Sequence, residues 1–141
     1  MQQDRDMHAN STFELKQWDE KTWDGRDWRE VDGEKLTYAD ILYTYHGDLE
    51  AESQSQMLVT YREDGTSHFV GLERVEGSLG GKQGSFVMQS DGTFDGQVAK
   101  TNWFVVPSSA TGELKGLKAK GVSEAGHDPS TFRLDFDYDF E

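Results

Sequence analysis

Polar and apolar residues alternate with a period of two along most of this chain, and such alternation predicts half-buried strands. The closing stretch shows it best: Phe132, Leu134, Phe136, Tyr138 and Phe140 fall on one face, Asp135, Asp137 and Asp139 on the other. Two long strands are predicted over residues 36–47 and 48–62. On the second, Leu49, Ala51, Ser53, Ser55, Met57, Val59 and Tyr61 oppose Glu50, Glu52, Gln54 and Gln56. A first strand is predicted over 12–18, with Phe13, Leu15 and Gln17 on one face, and further strands over 68–76, 85–90, 93–106 and 118–122. The glycines from Gly77 to Gly84 and the pair Asp91-Gly92 predict the turns of a β-meander. Residues 19–35 predict a long loop whose Trp23 and Trp28 close one end of the core, since a solvated loop has little use for two indoles. Residues 108–116 predict one short helical turn covering a wall where Phe86-Val87-Met88 and Trp103-Phe104-Val105-Val106 are apolar on both faces. With no long helix in view, the fold class is all-β. A closed antiparallel barrel of about eight strands is preferred to a sandwich, because closure removes exposed edges.

A length of 141 residues suits a single barrel domain spanning 1–141, with residues 1–11 expected as a flexible start. The absence of cysteine excludes disulfides, thiolate metal sites and a cysteine nucleophile. With no signal-like or membrane-length apolar run either, the expected location is the cytoplasm. A formal net charge of -13, unrelieved by any basic cluster, argues against nucleic acid and membrane surfaces as partners. The Asp135, Asp137, Asp139 series lies on a strand without the glycine and later glutamate of a calcium loop, so it reads as a solvated outer face. His8, His46, His68 and His127 show no ligand spacing. No metal and no cofactor are expected.

Ser108, Ser109 and Thr111 lack the context of a nucleophile and read as capping residues. Glu73 is the acid of interest. If Phe69, Gly71 and Val75 face inward it lies with them in an aromatic interior, a candidate acid, base or ligand anchor; if Val70 and Leu72 face inward, it is a surface partner for a basic residue. The candidate ligand-binding set is Tyr45, Tyr61, Glu73, Met88, Trp103 and Tyr138. Tyrosine and tryptophan bring polar tips on apolar bodies, methionine adapts, and Ala51, Ser53 and Ser55 leave space. The same residues also suit an ordinary filled core. Val87, Phe104 and Val106 are left pointing outward, an apolar patch that predicts a homo-oligomer, most simply a two-fold dimer.

The segments FVGLERVEGSLGGKQGSFVMQ, TNWFVVPSSATGELKGL and LDFDYDF resemble an uncharacterised bacterial family of domains of unknown function. Ala110 and Ala119 stand where that family's pattern has glycine. Its members are similar in fold to the allene oxide cyclase barrel, a relative of the lipocalin-like barrels. This resemblance implies a barrel with an oily interior, and for the plant enzyme a carboxylate that guides a fatty-acid-derived epoxide. No motif here carries that enzyme's residues over. Three functions are therefore in play: a barrel that binds a small apolar or aromatic molecule, an isomerase or cyclase, and a self-associating protein without a small ligand.

Overall fold

Strands with one apolar and one polar face need a common interior, and eight of them supply it in a computed structural model that describes residues 7–141, the side chain of Thr131 excepted. They are β1 (Met7–Thr22), β2 (Lys35–Gly47), β3 (Leu49–Tyr61), β4 (Ser67–Leu79), β5 (Lys82–Phe94), β6 (Ala99–Val105), β7 (Leu117–Ala125) and β8 (Arg133–Phe140). Each pairs antiparallel with the next, and β8 returns to β1 to close the barrel. Short 3-10 turns sit at Trp28–Glu30, Gly112–Leu114 and Pro129–Thr131. The second is the helical turn expected after β6, and its Leu114 is fully buried.

Several local expectations need correction. Strand β1 runs from Met7 to Thr22, so residues 7–11 of the expected flexible start and the first part of the expected loop are strand; residues 1–6 lie outside the described residues. Its register shifts between Leu15 and Gln17, a β-bulge that reverses the facing of the residues beyond it. Phe13 and Leu15 are succeeded inward by Trp18, Glu20 and Thr22, which pair with Ile41, Ala39 and Thr37, while Gln17 turns outward. The β4–β5 turn is Gly80-Gly81 alone, both with positive φ, whereas Gly77 and Gly84 pair inside the ladder. Asp91-Gly92 is no turn either: Gly92 lies within β5, opposite Phe69, whose ring rests on its bare Cα.

The interior divides into two halves. Toward the β2–β3 and β4–β5 turns it is packed solid by Leu49, Val75, Leu79, Phe86, Leu114, Leu117, Phe136 and Tyr138, all buried. A fully buried leucine such as Leu49 contributes roughly 1.5–3 kcal/mol relative to an exposed one. Toward the other end the wall loosens. Strand β8 pairs with β1 only from Met7 to Thr12 and with β7 only from Leu117 to Ala119. Beyond those residues β1 and β7 diverge, and Phe132 enters the seam, accepting a 3.0 Å hydrogen bond from the Phe13 amide.

Candidate functional site

The seam and the loosened end enclose a cavity of about 520 Å³. Its walls come from the mouth-end residues of every strand except β8: Phe13, Leu15 and Trp18 from β1, Ala39, Ile41 and Tyr43 from β2, Met57, Val59 and Tyr61 from β3, Ser67 and Phe69 from β4, Phe94 from β5, Thr101 from β6, Ser123 and Ala125 from β7. Trp28, carried in by the first 3-10 turn, stacks on Tyr61 with ring centroids 6.0 Å apart and forms the rim. Trp23 stays largely exposed, its indole donating to the Thr37 carbonyl at 3.2 Å. So one of the two loop tryptophans closes the end of the barrel. The other lies outside it.

Of the six residues selected from sequence as ligand-binding, only Tyr61 lines this cavity. Tyr45, Met88 and Trp103 are in the packed core rather than at a pocket wall, and Tyr138, in the same core, borders a separate groove along β6 to β8. Alternation alone does not tell which level of a barrel is hollow. Trp103 lies edge-on to Phe136 and against the bare Cα of Gly121, its buried indole N–H without an acceptor among the described residues.

Glu73 points inward and is buried, as the first of its two readings had it. Its Oε2 accepts hydrogen bonds from the Tyr45 hydroxyl at 2.5 Å and the Ser53 hydroxyl at 2.6 Å. Burial pushes the Glu73 carboxyl above its ordinary range, against the two hydrogen bonds, which pull it down. The neighbouring phenols of Tyr43 and Tyr45 are pushed up as well, by burial first and then by the Glu73 charge. Tyr43 and Met57 form the cavity floor on this side, with Glu73 beyond them rather than in the lining.

Because Glu73 holds its proton more tightly folded than unfolded, its contribution favours the folded state at low pH. That contribution is fully present below its ordinary value of 4.5 and is lost as pH rises toward the raised folded value. We expect Glu73→Gln, which cannot ionise, to remove this decline. In urea unfolding across that pH window the variant's stability should be flatter than that of the wild type, and an unchanged slope would locate the titration elsewhere.

A second inward carboxyl, Glu20, escaped the sequence reading. It is buried, and it accepts from the Thr37 and Tyr61 hydroxyls at 2.6 Å each and from the Trp18 indole at 3.0 Å. These bonds fix two rings of the lining, Trp18 and Tyr61. The bulge hid Glu20: without knowing that the phase reverses near Lys16, nothing separates it from Asp19 or Lys21.

The outer wall also carries apolar surface. Phe104 is exposed, while Val87 and Val106 are half-buried, the Val106 amide donating to the Val87 carbonyl at 2.8 Å. A larger patch lies elsewhere. Tyr38, Leu58 and Val70 form one row across β2, β3 and β4, with Leu72 beside Val70, and all four are exposed. The groove of about 830 Å³ along β6 to β8 mixes apolar Phe104, Leu117, Ala119 and Tyr138 with charges of both signs, Lys118, Lys120, Asp137 and Asp139.

A closed eight-stranded antiparallel barrel, solid at one end and hollow at the other, is the class of protein that this fold and cavity define. The chain belongs to the DUF3224 family, described as a protein of unknown function, whose pattern matches residues 9–138. It is similar in structure to a DUF3224 protein of unknown function from Shewanella oneidensis MR-1, with a TM-score of 0.77 and 30% identity over 96% of this chain and 98% of that one. No curated protein matches the chain. Among the described residues no helix is long and apolar enough to cross a membrane.

Proposed function

We propose that this protein binds a small molecule with an apolar or aromatic body in the open end of its barrel. The observation that carries the reading is the cavity itself, about 520 Å³ of space walled mainly by aromatic and aliphatic side chains. Sites for small molecules have this volume and character, with a few polar groups to orient the guest. Here those groups are the hydroxyls of Tyr43, Ser67, Thr101 and Ser123. The exposure of Leu15 and Trp18, costly on an ordinary surface, stems from their place at the cavity seam. A ligand that prefers the folded state raises its apparent stability. A thermal-unfolding screen of ring-bearing metabolites should therefore raise the melting temperature for molecules that fit, and a panel without any concentration-dependent shift would refute the reading.

The isomerase or cyclase reading draws on the resemblance to the allene oxide cyclase barrel and would employ Glu73. Binding is preferred to it because Met57 and Tyr43 stand between that carboxyl and the cavity. A cysteine-free chain suits the reducing cytoplasm, where we place it.

Self-association is a separate property, favoured by the row Tyr38, Leu58 and Val70. We propose a dimer through this wall, extending toward Phe104 by way of Leu72 and Gln89, which pair across β4, β5 and β6. Leu58→Glu with Val70→Lys should convert the assembly to monomer in sedimentation at micromolar concentration. A wild type that already sediments as monomer would contradict it.

A further inference from the structure

The binding reading leaves the charge of the guest open, and the surroundings of the cavity bear on it. Among the described residues, eight aromatic rings line the space and no Asp, Glu, Lys or Arg does, in a chain of formal net charge -13. Behind two of its walls lies a buried carboxyl held by neutral donors. Glu20 accepts from Thr37, Trp18 and Tyr61, and the last two are themselves lining rings. Glu73 likewise accepts from Tyr45 and Ser53, and lies near the lining ring of Tyr43.

Buried carboxylates call for a countercharge, and aromatic faces are electron-rich. A phenol that donates its proton toward a carboxylate makes its ring richer still. The protein already displays the preference once: the Lys35 ammonium sits 4.9 Å from the centre of the Tyr61 ring and 5.4 Å from that of Trp28, outside the lining, where it donates to the Val31 carbonyl. His127, the one lining side chain among the described residues able to become positive, is exposed at the rim and turned edge-on to Phe94.

We propose that the cavity is selective for an organic cation, an ammonium bearing apolar or aromatic substituents, with the rings as its cage and Glu20 as its principal countercharge. The inference rests on the binding reading. A quaternary ammonium is weakly hydrated, so it gains from the ring faces at little desolvation cost. A carboxylate guest would lose its water and find no countercharge among the described lining residues beyond His127 at the rim.

Three probes of similar shape separate the possibilities: phenyltrimethylammonium, tert-butylbenzene and 4-tert-butylbenzoate. They would be titrated against the full chain and followed by tryptophan emission, which Trp18 and Trp28 at the cavity should dominate. The cation should bind about tenfold more tightly than its uncharged isostere, as cation–π attraction in a desolvated cage allows, and the benzoate most weakly. Glu20→Gln keeps an acceptor for Tyr61 and Thr37 but sets an NH2 against the Trp18 indole N–H, so both probes should bind more weakly; the cation should lose more, its advantage over tert-butylbenzene falling to about threefold or less. Should that variant unfold, Glu73→Gln provides the same comparison with a smaller expected change. Binding of tert-butylbenzene or the benzoate as tight as that of the cation would overturn the proposal and leave the binding reading standing. Failure of all three to bind would remove both.

Discussion

Trp103→Ala is expected to lower the unfolding free energy by about 3–5 kcal/mol, the range for deleting a large aromatic from a close-packed interior. Trp103 is only 4% exposed and lies outside the cavity, so the void it leaves adds to the existing space instead of coinciding with it. The loss includes its edge-on contact with Phe136 at 5.2 Å between ring centres. Trp103→Phe provides a control with a physical prediction of its own. It sacrifices part of the buried area but also removes an indole N–H with no acceptor among the described residues, whose burial costs about 1–3 kcal/mol. The phenylalanine variant should therefore lie much closer to the wild type than the alanine variant. Urea unfolding measures both, and a loss below about 1 kcal/mol for alanine would mean that the packed half is looser than its burial implies.

Gly92→Ala should cost about 1–3 kcal/mol, the range for overpacking a filled site, and should also damage the cavity. A Cβ at this position would lie 2.6 Å from the Phe69 Cζ and collide with the Lys100 carbonyl across the β5–β6 ladder. The carbonyl belongs to backbone and cannot swing away, so the strand pair must shift. Phe69, a lining residue, has somewhere to go, and the direction open to it is the cavity. Reduced stability together with weakened binding of any cavity ligand is the expected signature. An alanine variant with wild-type stability and binding would show that the ring does not rest on this glycine.

The letters of the chain made some of this structure legible and concealed the rest for identifiable reasons. Strand β8 could be read in full because it has one apolar and one polar face over its whole length, and β3 nearly so, Leu58 on its outer face being the exception. Glycine misled: in β5 it seats a phenylalanine, at Gly121 a tryptophan, and at Gly80-Gly81 it makes a turn, and the three uses look alike in one dimension. Glu73 could not be oriented because Val70 and Leu72 make the opposite face of β4 equally apolar, and those two proved to be exposed on the outer wall. Glu20 lay beyond a bulge that shifts the period. The position of the hollow was the least accessible feature, since it depends on how β8 stops short of the seam and on which loop residues return over the mouth.

The central claim is that the open end of the barrel is a binding site, and blocking it from within tests that claim most directly. Ala125 lines the cavity on β7, half-buried and away from the packed core, so Ala125→Trp should fill space without displacing structure. N-phenyl-1-naphthylamine, uncharged at neutral pH and fluorescent in apolar surroundings, would be titrated into the wild type, into Ala125→Trp and into the outer-wall variant Leu58→Ser. The account predicts saturable enhancement at one site per chain in the wild type and in Leu58→Ser, and its loss in a folded Ala125→Trp. No saturable enhancement in the wild type, or a signal untouched by the tryptophan and abolished by the outer-wall change, would contradict it.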